Sequence, residues 1–73
     1  MLFRSAIDAY GQAVAARPTD AAARVSLAAA LARERRFDEA ADQLREALRL
    51  DPGNQAAGQL LGRITAASTS PAP

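Results

Sequence analysis

Displaced by 34 residues, this chain falls on its own pattern: Phe3 meets Phe37, Ala6 meets Ala40, Asp8 meets Asp42, Ala13 meets Ala47, Pro18 meets Pro52, and Leu27 meets Leu61. Ala22 and Ala23 meet Ala56 and Ala57 in the same way. Self-agreement at a fixed period of this length marks stacked helix-turn-helix units, each unable to bury its apolar face alone. The chain therefore reads as a short solenoid.

Its 73 residues hold one small domain with a marginal core, because so short a chain leaves much of its surface wet. Alanine dominates, Pro and Gly are confined to a few places, and strand-like alternation is missing, so the expected class is all-α. With no Cys and no His, thiolate chemistry, imidazole catalysis and the usual zinc ligands are removed together. The basic residues are all Arg and nearly balance the carboxylates, giving a net charge of +1 and no global field for nucleic acid or an anionic membrane. Asp8, Tyr10 and Gln12 interrupt the only candidate signal sequence, and no apolar run reaches the ~18 residues of a membrane span. A soluble protein is expected, with the cytoplasm as its location.

Four helices are predicted. The first, about Leu2 to Ala16, carries Phe3, Ala6, Ile7, Tyr10, Ala13 and Val14 on one face and stops before Pro18. Thr19 or Asp20 caps a second helix that runs to about Arg33 and carries Val25, Leu27, Ala28 and Leu31. After the polar turn Glu34-Arg35-Arg36, a third helix starts at Phe37 or Asp38 and ends at Leu50. It buries Phe37, Ala40, Ala41, Leu44, Ala47 and Leu48, with Asp38 and Glu39 at its start and Arg45 and Arg49 toward its end, as the macrodipole favours. Asp51-Pro52-Gly53-Asn54 is stop, turn and cap in four residues. The fourth helix, about Asn54 to Ala67, carries Leu60, Leu61 and Ile64 and is weakened by Gly58 and Gly62. Residues 1–67 form one domain, and Ser68 to Pro73 is expected to be a disordered tail or linker.

Taken together, these residues resemble the tetratricopeptide repeat, whose pattern reads W-x2-L-G-x2-Y, then A-x3-F, A and P. One full repeat lies at about 21–54: Arg24, Leu27, Ala28 and Leu31 fill the first block, Ala40 and Leu44 the second, and Ala47 and Pro52 close it. Phe3, Ala6, Tyr10, Ala13 and Pro18 are similar to the second helix of a preceding repeat. Gly58, Leu61, Gly62 and Thr65 are similar to the first helix of a following one. Arg24 and Gly58 stand where the family has its large aromatic, and Leu31 and Thr65 where it has tyrosine, so some core volume is lost. The resemblance implies four antiparallel helices in a right-handed α-solenoid fragment, with Ala6, Ala28, Ala40, Ala47 and Gly62 at close helix crossings.

It also implies a function: a non-catalytic protein-protein interaction module, or adaptor, that needs no cofactor. The first helix of each pair lines the concave face in such repeats, which here assigns partner binding to Ala22, Val25, Ala29, Ala32 and Arg33 on the second helix. Ala56, Gln59, Arg63, Ala66 and Ala67 take the matching places on the fourth. That face suits an apolar helix or extended peptide. Only Arg33 and Arg63 could hold an acidic C-terminus, and the asparagines of a carboxylate clamp are missing. Arg33, Arg35 and Arg36 are read as a solvated turn, with Arg35 pairing to Glu39, rather than as a nucleic-acid patch. Asp38, Asp42 and Glu46 share a helix face without a base or oxyanion donor beside them, so they are read as surface charge.

The alternative is structural. Half repeats leave open ends, here Phe3 and Tyr10 on the first helix and Leu60 or Ile64 on the last, and these would pair copies into a dimer or longer homo-oligomer.

Overall fold

Side-chain caps decide where three of the helices begin. In the computed structural model, which describes residues 5–68, the Ser5 hydroxyl accepts from the Asp8 amide at 3.3 Å. Asp20 accepts from the Ala23 amide at 3.2 Å, and Asn54 from the Ala57 amide at 2.9 Å. Each satisfies one of the free amides of a first turn. The helices that follow are α1 (Ala6–Ala16), α2 (Ala21–Arg33), α3 (Phe37–Leu50) and α4 (Gln55–Ser68). Every regular element among the described residues is helical, so the chain is all-α. Asp20, not Thr19, caps α2. The first helix starts at Ala6 rather than near Leu2, because the extended backbone of Ser5 breaks the helical path and frees its hydroxyl to cap. Ser68, the first residue of the expected tail, instead ends α4; Phe3 and the rest of that tail, 69–73, lie outside the described residues.

The stop after α2 uses a device the sequence concealed. The Arg36 amide donates back to the Leu31 carbonyl at 2.9 Å and the Arg35 amide to that of Ala32 at 3.0 Å. This is a Schellman closure, and it puts Arg35 at φ 61°, a left-handed position that glycine usually fills. That turn also overrides the expected Arg35–Glu39 pair. Held in the left-handed conformation, Arg35 stacks its guanidinium 5.7 Å from the Phe37 ring centroid, and Arg36 takes Glu39 instead.

Each helix packs on its neighbour in sequence, and α2 also reaches α4. The core is built where the pattern put small residues: Ala28, Ala40 and Ala47 are all 0 % exposed, which lets the α2 and α3 backbones approach closely around Leu44, itself 0 % exposed. Leu27, Leu31, Ala41, Ala57 and Ile64 complete the same cluster. Phe37 and Leu48 are half-buried against it.

Two expected crossing points are not buried among the described residues. Ala6 is exposed, and a methyl group built on Gly62 would meet nothing within 4 Å. The same is true of Gly58. Replacing either glycine with alanine therefore removes a helix-interior entropy cost without a clash. Gly58→Ala and Gly62→Ala are each expected to stabilise the fold by about 1 kcal/mol, read as a rise in the thermal unfolding midpoint.

Candidate functional site

Residues at positions 22, 25, 29 and 32 recur along one side of α2. Ala22 and Ala29 are exposed, while Val25 and Ala32 are half-buried against the core cluster. Arg33 is exposed at the end of the same helix. One period later α4 carries Gln59 and Arg63, both exposed, in register with Val25 and Ala29. The face is shallow, because alanine offers methyl groups and no projecting side chains.

Arg24 marks a departure. At the place where the repeat pattern carries its aromatic, its guanidinium donates to Gln43 Oε1 on α3 at 2.9 Å and to the Pro18 carbonyl at 2.9 Å. A half-buried polar clamp thus ties the α1–α2 turn to α3.

Two clefts flank α1. The larger, about 490 Å³, lies between α1, α2 and α3, floored by Ile7, Gly11, Leu27 and Leu31 and edged by Asp8, Glu39 and Asp42. Sequence reasoning missed it; the available signal was Gly11, which has no side chain to fill the space and whose added methyl group would meet nothing within 4 Å. The smaller, about 180 Å³, is bounded by Ala6 and Tyr10 of α1 and by Ser26, Ala29, Ala30 and Arg33 of α2. Two residues assigned to partner binding and one assigned to self-association therefore line one cleft.

The end residues divide. Tyr10 is 41 % exposed on α1, a helix with no buried residue. Leu60 is half-buried. Ile64 is not short of neighbours: α4 lies against both α3 and α2, and between them they reduce its exposure to 3 %. It belongs to the core and offers nothing to a second copy.

Charge is organised along α3 in three pairs spaced i, i+3: Arg36 with Glu39, Arg45 with Asp42, and Arg49 with Glu46. Hydrogen bonds from Arg36 and Arg49 hold the Glu39 and Glu46 carboxyls below the ordinary glutamate range. A carboxyl depressed by folding adds stability that is complete above its unfolded-state pKa and lost as pH falls through its folded-state pKa. The thermal midpoint is therefore expected to drop modestly below about pH 4. Because both pairs are solvent-exposed, the drop is expected to be smaller still in molar salt. Asp42 and Glu46 are thus occupied by arginines. Among the described residues no group of His, Cys, Asp or Glu could hold a metal ion, and no helix is long and apolar enough to cross a membrane.

No significant match is found among curated proteins or among solved structures. The family model described as tetratricopeptide repeat matches residues 2–55, most of the chain. The buried positions Leu27, Ala28, Leu31, Ala40, Leu44 and Ala47 are those at which the repeat pattern places its core. Such repeats typically serve as non-catalytic interaction modules. On the family match and the four-helix architecture together, this chain belongs to the tetratricopeptide repeat family.

Proposed function

We propose that the chain is a non-catalytic adaptor that takes an apolar helix or an extended peptide on the side of α2 and α4 bearing Ala22, Val25, Ala29, Ala32, Arg33, Gln59 and Arg63. The observation that carries this reading is the exposure of Ala22 and Ala29 on a helix whose opposite side is core. Methyl groups left in water along one line fit an apolar ligand stripe at i, i+3, i+4 spacing. Arg63, in register with Ala29, adds a cation at the edge and sets orientation more than affinity.

Selection from a library of amphipathic helical and extended peptides, followed by calorimetry on the enriched sequences, tests this. Ala22→Glu with Ala29→Glu is expected to weaken the selected peptides at least roughly tenfold while the circular dichroism stays helical, since both positions are exposed. Peptides that bind the double variant as well as they bind the parent would overturn the assignment.

A second reading is favoured by Tyr10, the one large hydrophobic exposed among the described residues. Copies of the chain associate through their ends.

A further inference from the structure

The 490 Å³ cleft between α1, α2 and α3 shares no residue with the face proposed above for partner binding. Its walls are three helices of the chain itself, and its floor is apolar. Leu27 and Leu31 of α2 leave 8 % and 5 % of their surface uncovered, and Ile7 and Gly11 of α1 are half-buried beside them. The charged edge is unbalanced. Asp8, Glu39 and Asp42 stand against one cation, Arg36, which already gives two hydrogen bonds to Glu39.

The 34-residue period shows what would balance it. α1 and α3 hold equivalent places in the repeat, and Asp8 falls on Asp42. On α3, Arg45 donates to Asp42 at 3.1 Å from three residues further on, and the next turn repeats the arrangement with Glu46 and Arg49. The α1 counterparts of Arg45 and Arg49 are Gly11 and Ala15, and both line the cleft. α1 thus keeps the acid and replaces both cations by very small residues. Among the described residues no ion pair reaches Asp8. A methyl group built on Gly11 meets nothing within 4 Å, so the place that an arginine fills on α3 is open space on α1.

From this juxtaposition we infer that the cleft docks a basic amphipathic segment of a partner protein. One arginine of that segment lies over Gly11, its aliphatic stem on Ile7 and Leu27 and its guanidinium on Asp8, as Arg45 stands to Asp42. An apolar side chain one helical turn away covers Leu31. Arginine suits the place better than lysine, because its planar fork can be shared among the carboxylates at the edge while its weakly hydrated face rests on leucine. The contact uses charge complementarity that the α2 and α4 face lacks, and it stands independently of that face. One segment in one cleft buries less than a standard interface, so a Kd between about 10 μM and about 1 mM is expected.

The test is a titration of the isotope-labelled chain, followed by NMR, with two probes. One is a short amphipathic helical peptide of Leu, Ala and Arg; the other is its twin with citrulline for every arginine, which keeps the shape and removes the charge. The arginine peptide is expected to move the Gly11 backbone amide and the Gln43 side-chain amide, to leave the Gln59 and Gly62 amides in place, and to bind about three- to tenfold more tightly than its twin. Molar salt should erase the difference. Gly11→Arg rebuilds on α1 the spacing of Asp42 and Arg45, removes a helix-interior glycine, and is expected to keep the chain helical while abolishing binding of the arginine peptide. Asp8→Asn is expected to bring the arginine peptide down to the affinity of its twin. Should losing the acid in the first turn unwind α1, Gly11→Arg decides alone. Equal affinity for the two peptides, or unchanged binding to Gly11→Arg, overturns the inference. So do shifts on the Ala22 and Ala29 line in place of Gly11, which would put the segment on the other face.

Discussion

Leu44→Ala is expected to leave little of the fold standing at room temperature. Leu44 is the large side chain buried completely in the cluster that α2, α3 and α4 share. Truncating a buried leucine costs the transfer free energy of the lost carbons plus the cavity left behind, together about 2–5 kcal/mol. At the usual stability per residue, a chain of 73 residues has about 4–11 kcal/mol in total. A core this small, made mostly of alanines, belongs at the low end of that range. The loss is thus comparable to the whole. Urea unfolding followed by circular dichroism is expected to show the midpoint falling by half or more. Leu44→Met, which keeps the volume, should cost less than about 1.5 kcal/mol. A Leu44→Ala midpoint near the parent's would mean that the centre of the core lies elsewhere.

The part of the fold that was legible in the sequence is the part where local and tertiary signals agree. Pro18 and Pro52 stop helices wherever they occur, and Asp20 and Asn54 cap them, so the turns could be placed without knowing the packing. Ala28, Ala40 and Ala47 were legible because they recur in a repeat whose spacing already implies a crossing. What failed needed knowledge of which neighbours exist. Ile64 reads as an open-end residue from the half-repeat pattern alone, but a helix with one side open still buries the other, and Ile64 is 3 % exposed within the core cluster. Gly62 and Ala6 read as crossing points by analogy with Ala28 and Ala40, yet both are exposed. Arg24 looked like a lost aromatic, since nothing local reveals that its guanidinium finds Gln43, distant in sequence, and the Pro18 carbonyl. The Arg35–Glu39 pair failed because i, i+4 spacing holds only inside a helix, and Arg35 sits in the left-handed turn before one. For the candidate site, the register of α2 with α4 is legible in the 34-residue period, but the cleft shared by Tyr10, Ala29 and Arg33 depends on how α1 leans on α2.

Ala28→Leu separates packing from composition. Leucine is nearly as good a helix former as alanine, so in an isolated helix the exchange would be almost neutral. At position 28 the side chain is 0 % exposed, where α2 lies on α3 and Ala40 is likewise 0 % exposed. Three added carbons must push the helices apart or force neighbouring side chains off their rotamers, a cost of about 1–3 kcal/mol and occasionally more. For a domain of this size each kcal/mol moves the thermal midpoint by roughly 4–8 °C, so the midpoint should fall by about 5–20 °C. Ala29→Leu, one residue along, puts the same carbons on an exposed position and should stay within about 0.5 kcal/mol of the parent. The contrast is the measurement that matters, because the two variants share composition, hydrophobicity and helix propensity and differ only in the direction of one side chain. Equal midpoints for the pair would mean that α2 does not approach α3 along Ala28.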